Sequence, residues 1–393
     1  MKGRDKVGDG VWQREEFLTQ VFAGIHETEC YLRAWFVRRT LNVENNMSVK
    51  MALISAKMAL IGSVVVGALA LLGYRAVGGQ GEVVEYTDFG QVRTPTQPAF
   101  RAEIQPPSSA PIKEFRIPIT HETIQISNGV TYAGWTFGGT VPGPTIRVRE
   151  GDLVRIHLVN ESPMPHSIDF HAARIPWNEA YRSILPGEDL RFEFTARDPG
   201  VYLVHCGTPP VTMHIMQGMY LSIIVDPKEG WGTKVDKEFV LTQSEFYVRP
   251  SENGEARQPD LRAAMAKNAS YVVFNGRAFQ YKAQPLEVEV GDRVRLFVVA
   301  AGPSFGSDFH IVGAIFDRVY PDGNPDNVLE SVQTYTVPVG GGAVFETVFE
   351  EGASGEGLYP FVTHAFADAE KGAVGLIQVS KPATLISAVP EAH

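Results

Sequence analysis

Between residues 123 and 225, apolar and polar side chains alternate with a period of two. Val154, Ile156 and Leu158 are separated by Arg155 and His157, the pattern of a half-buried strand. The same alternation predicts strands at 123–127, 131–137, 190–195, 201–204 and 219–225, divided by turn residues. Together they make a β-sandwich of about a hundred residues. His157 falls on the polar face and reads as a solvated strand residue.

The pattern occurs twice. Residues 144–159 (PTIRVREGDLVRIHLV) resemble residues 285–299 (PLEVEVGDRVRLFVV). Asp308-Phe309-His310 then repeats Asp169-Phe170-His171, and Gly357-Leu358-Tyr359 repeats Gly200-Val201-Tyr202. A duplication predicts an all-β chain of two tandem sandwiches of one fold, at 113–228 and 235–383.

A different pattern precedes them. Residues 51–74 (MALISAKMALIGSVVVGALALLGY) are apolar enough to span a bilayer, with no charge from Met58 to Leu72. Arg33, Arg38, Arg39 and Lys50 precede this stretch, and only Arg75 follows closely. The positive-inside rule puts residues 1–50 in the cytoplasm as an extension. The sandwiches then lie on the periplasmic or extracellular side of the cell membrane, held by a single-pass anchor. A rival reading is a cleaved signal peptide beginning at Met47, with Ala76-Val77-Gly78 as the cleavage site. Residues 1–46 are unlike a secretory leader, and read either as a cytosolic extension or as an over-long start. Residues 75–112, with Gln105-Pro106-Pro107-Ser108-Ser109, read as a linker.

Composition excludes one class of partner. The 45 acidic residues outnumber the 35 basic ones, and no basic stripe interleaves with aromatics, so nucleic acid is not expected. Cys30 and Cys206 lie in very different regions, which argues against a structural disulfide. Cys206 has metal-ligating neighbours: His166, His171, His205, His214 and Met219.

On a strand, adjacent side chains oppose and alternate ones share a face. His205 and Cys206 therefore face opposite ways, and the candidates divide into two sets. His166 and Cys206 fall in one; Asp169, His171 and His205 fall in the other. His214 and Met219, in the segment Cys206-x7-His214-x4-Met219, complete the first set. A thiolate and two imidazoles with a weak axial thioether suit copper that cycles one electron. Met216 competes with Met219 for the axial place. The second set needs about one more ligand for a catalytic metal with an open position. Of the remaining histidines, His26 is on the wrong side of the membrane, His393 is terminal, and His121 has no companion ligand nearby in sequence. His310 and His364 remain, both in strand-like segments of the second repeat.

These residues resemble the copper-containing nitrite reductases, within the cupredoxin and multicopper oxidase group. The resemblance runs from about Thr140 to Val379. It rests on residues 164–171 (MPHSIDFH), 200–206 (GVYLVHC), 309–313 (FHIVG) and 362–364 (VTH). It implies two cupredoxin-like Greek-key sandwiches and two coppers per subunit. His166, Cys206, His214 and Met219 would bind the type 1 copper, and His171, His205 and His364 the type 2 copper. Asp169 and His310 would handle protons beside the second. The resemblance further implies a homotrimer whose third histidine comes from a neighbouring subunit, and nitrite as substrate. The electron donor would be a small protein, a cupredoxin or a c-type cytochrome. Three features depart from the family: the loop from Cys206 to His214 is one residue shorter than in its best-known members, Met213 stands where a tryptophan is common, and a retained N-terminal anchor is not typical. Two rival functions are a membrane-tethered blue-copper electron carrier and a laccase-like two-domain oxidase. The second needs His-x-His pairs, and the chain has none.

Overall fold

The computed structural model describes residues 82–91, 102–250, 255–350 and 355–381. The expected extension and anchor, together with Cys30, His26 and His393, lie outside the described residues. Among the described residues, no helix is long and apolar enough to cross a membrane.

The first repeat contributes β1 (Val84–Asp88), β2 (Ile112–Ser127), β3 (Val130–Phe137), β4 (Ile146–Arg149), β5 (Leu153–Asn160), β6 (Asp169–Phe170), β7 (Asp189–Thr195), β8 (Gly200–His205) and β9 (Tyr220–Asp226). They form two sheets, one ordered β1-β2-β5-β7 with β3 beside β2, the other ordered β4-β9-β8-β6. The second repeat contributes β10 (Lys237–Phe246), β11 (Tyr271–Phe274), β12 (Leu286–Glu289), β13 (Arg293–Gly302), β14 (Ser307–Ile311), β15 (Phe316–Pro321), β16 (Leu329–Val332), β17 (Thr334–Val337), β18 (Gly342–Val348), β19 (Gly357–Thr363) and β20 (Val374–Ser380). Their sheets run β11-β10-β13-β18-β15-β16 and β12-β20-β19-β14-β17.

The repeat seen in sequence recurs as strand pairing. β2 runs parallel to β5 as β10 does to β13, and β4 runs parallel to β9 as β12 does to β20. β6 pairs with β8 as β14 pairs with β19. His171, just after β6, and His310, in β14, therefore hold related places in the two repeats.

Alternation places the core. In β5 the side chains of Val154, Ile156, Leu158 and Asn160 are buried, while His157 between them is half-buried and meets Asp189 at 2.9 Å. Each repeat has its own apolar cluster, one around Ile117, Phe137, Ile156 and Leu221, the other around Phe309, Phe345 and Phe361. Burying such side chains contributes about 1.5–3 kcal/mol apiece. A third cluster, including Tyr132, Tyr220, Ile224, Phe246, Phe297 and Val344, fills the seam between the repeats. The described residues accordingly fall in one compact unit.

A buried ionic chain also crosses the seam. Arg147 of β4 meets Asp226 at 2.9 Å and Glu238 of β10 at 2.6 Å. Arg295 of β13 meets the same Glu238 at 2.9 Å and Glu346 at 2.6 Å.

The linker expected at 75–112 is corrected in part. Val84–Asp88 adds a parallel strand to β2, and Phe89 is buried against the first core. The local apolar residues Val84, Tyr86 and Phe89 were outweighed in the sequence by the Gly and Pro around them.

Candidate metal centres

β8 separates the two sets of ligand candidates. Val204 and, just past the strand, Cys206 belong to the first-repeat core. Val201 and Leu203 pack instead into the seam. His205 has their parity and so turns away from Cys206. One peptide bond joins the two residues, yet each belongs to a separate group of potential ligands.

The first group is His166, Cys206 and His214, all buried, with their donor atoms within 4.8 Å of one another. The Nδ1 atoms of His166 and His214 are 3.0 Å apart, and His214 Nδ1 is 3.2 Å from Cys206 Sγ. His166 is fixed by a two-way backbone bridge to Ile184. Ser167 N donates to Cys206 Sγ at 3.4 Å, and Ser167 Oγ accepts from Gly207 N at 3.0 Å. His214 lies on a short helix, Val211–Met216, rather than on a plain loop. Met219 is fully buried; its N–H donates to His214 O at 3.2 Å and its carbonyl accepts from Cys206 N at 3.1 Å. Met219 packs in the same core as Cys206, whereas Met216 packs in the core of the second repeat.

Burial sets the protonation of this group. It pushes His166 down to about 3, helped by the charges of His214 and His121. It pushes His214 down to about 4, again with His121. Both imidazoles are therefore neutral and have lone pairs to give. Burial pushes the Cys206 thiol up, against the hydrogen bonds from Ser167 and Thr208. Metal binding would displace that proton. A soft thiolate beside two neutral imidazoles in a dry pocket fits copper.

The second group is Asp169, His171 and His205, half-buried to exposed. Asp169 of β6 stands directly opposite His205 of β8 in the sheet register. His171 Nδ1 lies 3.1 Å from Gly340 O, and His205 Nδ1 lies 3.0 Å from Cys206 O. A carbonyl only accepts, so both Nδ1 atoms carry the proton. Both Nε2 atoms then present lone pairs, and they face each other at 3.1 Å. Two converging lone pairs repel unless a cation sits between them, and a carbonyl behind each ring is the usual support for a metal-binding histidine. Burial, followed by the charge of His205, holds His171 below its ordinary value. Gly340 belongs to the second repeat and has φ +80°, which glycine adopts at little cost.

His310 and His364 do not join this group within one chain. Their rings lie 5.0 Å apart, and His310 Nδ1 donates to Gln333 O. His364, exposed just beyond β19, has its N–H on Asp308 O at 2.7 Å. Exposed Phe366 packs against its ring, and exposed Val312 and Ile315 follow His310 in the chain.

Several neighbours carry no sequence signal. Trp135 of β3 sets its edge against His214 and His166. His121, which lacks a companion in sequence, is paired across the sheet with Trp135 and stacks on it. Knowing the register of the hairpin would have revealed the pair.

Four sheets in two sandwiches, with a buried thiolate–imidazole group beneath one of them, define a cupredoxin-like copper protein. The multicopper oxidase family model matches residues 118–230. The copper-containing nitrite reductase of Neisseria gonorrhoeae is 41% identical over 264 residues, covering 66% of each chain. That of Alcaligenes faecalis is 30% identical over 362 residues, covering 83% of this chain and 94% of its own. The solved copper nitrite reductase of Nitrosomonas europaea superposes with a TM-score of 0.63 at 39% identity, covering 72% of this chain and 96% of its own. The chain belongs to the copper-containing nitrite reductases.

Proposed function

We propose that the chain reduces nitrite to nitric oxide: nitrite, two protons and one electron give nitric oxide and water. The observation that carries this reading is the Cys206-His205 peptide, whose two side chains serve different donor groups. Copper supplies a one-electron couple at the first centre and an electrophilic, substrate-binding position at the second.

In this reading His166, Cys206, His214 and Met219 hold the type 1 copper. His171 and His205 hold the type 2 copper together with His364 of a neighbouring copy. The exposed His364, with apolar Phe366, Val312 and Ile315 around the same edge, supports a head-to-tail contact closing into a homotrimer. Asp169, with its carboxylate within 4.8 Å of the donor nitrogens of His171 and His205, is placed to hold a proton against a bound nitrite oxygen. His310, whose Nδ1–H is held by Gln333 O, presents Nε2 as an acceptor that would take up a second proton and then pass it on. A small donor protein, a cupredoxin or c-type cytochrome, would deliver the electron. Residues 51–74 would anchor the catalytic part on the periplasmic or extracellular side.

Nitric oxide release from nitrite by the copper-loaded protein, with dithionite-reduced viologen as donor, tests the reading. A protein with both copper signals and no nitric oxide release is instead an electron carrier. His364→Ala should abolish the type 2 paramagnetic signal and leave the thiolate absorption intact. Loss of both would overturn the two-centre assignment.

A further inference from the structure

We infer that His121 is a positioning residue for the type 1 centre, which it serves by accepting a hydrogen bond from the ring of His166. The inference rests on the type 1 assignment above and adds a residue to it.

The two Nε2 atoms lie 3.2 Å apart. His166 turns its Nδ1 toward His214 and Cys206, so that nitrogen is the one aimed at a metal. A neutral imidazole carries one N–H; with the Nδ1 lone pair committed, the proton sits on Nε2. The group that meets it is His121 Nε2, which must therefore be bare, with the His121 proton on Nδ1. His166 is fully buried, and an unpaired N–H there would cost about 1–3 kcal/mol.

The fold holds His121 in place from the side. It stands opposite Trp135 in the β2–β3 register, and the two rings stack at 5.0 Å with 9° between their planes. The same indole presses its edge on His166 and His214, at 5.3 Å and 4.9 Å. His121, Trp135 and the two imidazoles thus form one block. The stack fixes the acceptor, and the acceptor fixes the rotation of the His166 ring.

The consequence is electronic as well as mechanical. An imidazole whose N–H is held by an acceptor is a stronger donor to its metal. That favours oxidised copper over reduced copper and lowers the potential of the centre.

Two substitutions separate the stack from the hydrogen bond. His121→Phe keeps a flat ring on Trp135 and removes the acceptor. His121→Gln offers an amide oxygen in place of the ring nitrogen. Both are made in the full chain, copper-loaded, and read by redox titration, visible absorption and copper content. His121→Phe should keep its type 1 copper and show a shifted thiolate absorption. Its preference for oxidised copper should fall about tenfold, a rise of about 59 mV. His121→Gln should recover part of that shift. An unchanged potential in copper-replete His121→Phe, or a His121→Gln that matches His121→Phe, overturns the inference. If His121→Phe does not fold, ring-nitrogen NMR of the reduced wild-type protein decides: a bare His121 Nε2 supports the inference and a protonated one refutes it. A wild-type protein with no thiolate-to-copper absorption would overturn the type 1 reading itself, and this inference with it.

Discussion

Replacing Arg147 by methionine should weaken the seam between the repeats more than any single exposed ion pair would. The guanidinium donates through Nε and Nη2 to Asp226 at 2.9 and 3.1 Å, and through Nη1 and Nη2 to Glu238 at 2.6 and 3.1 Å. Its side chain is 9% exposed. Methionine fills similar space and donates nothing. Among the described residues, Asp226 then keeps only the indole N–H of Trp231 at 2.9 Å, and Glu238 keeps only Arg295. Stripping one partner from a buried pair costs about 3–5 kcal/mol, because the remaining charge stays desolvated. Urea unfolding of the metal-free protein at neutral pH measures it. The pH dependence provides a second reading. Burial pushes the Glu238 carboxyl up, but the hydrogen bonds and charges of Arg147 and Arg295 outweigh burial and hold it below 4.5. A lowered carboxyl stabilises the fold above the ordinary value, and that stability is lost as pH falls through the folded value. Wild type should therefore lose stability on acidification below about pH 4.5, and the variant should lose less over the same range. A cost below about 1 kcal/mol, the range of exposed pairs, would refute the reasoning.

Three further outcomes follow from other sites. Phe309→Ala should cost about 3–5 kcal/mol in the same unfolding assay, since the ring is fully buried among Phe274, Phe316, Phe345 and Phe361; a loss under about 1 kcal/mol would mean that the second core repacks freely. Gly276→Ala should destabilise markedly or prevent folding, because a Cβ there would collide with the Val141 carbonyl oxygen on a residue with φ +80°; wild-type stability would contradict this. Cys206→Ser should remove the thiolate absorption, lower copper content by about half and leave the type 2 signal, because His171 and His205 stand apart from the first group; loss of both signals would count against separate centres.

The sequence revealed what local periodicity encodes. Alternation located β5, β7 and β8, and the repeated DFH and G-x-Y motifs anticipated the matching pairs β6–β8 and β14–β19. Strand parity divided the ligand candidates into the same two groups that converge in space, although residues 167–168 lie outside any strand. What escaped depends on register across the sheets. His121 and Trp135 are fourteen positions apart and meet only because β2 and β3 pair as they do. Gly340 reaches His171 across the seam, over a separation of 169 residues. The stretch expected as a linker at 75–112 hid a strand because its five residues, set among Gly and Pro, become a strand only by pairing with β2.

The measurement that tests the central claim most directly follows the visible absorption of the reduced type 1 centre after nitrite is added without oxygen. If Cys206 and His205 join two working centres, the colour returns as nitric oxide appears, one molecule for each centre reoxidised. In His205→Ala the centre should stay bleached. A wild-type protein loaded at both centres that stays bleached, or a His205→Ala variant that recolours at the wild-type rate, would contradict the account.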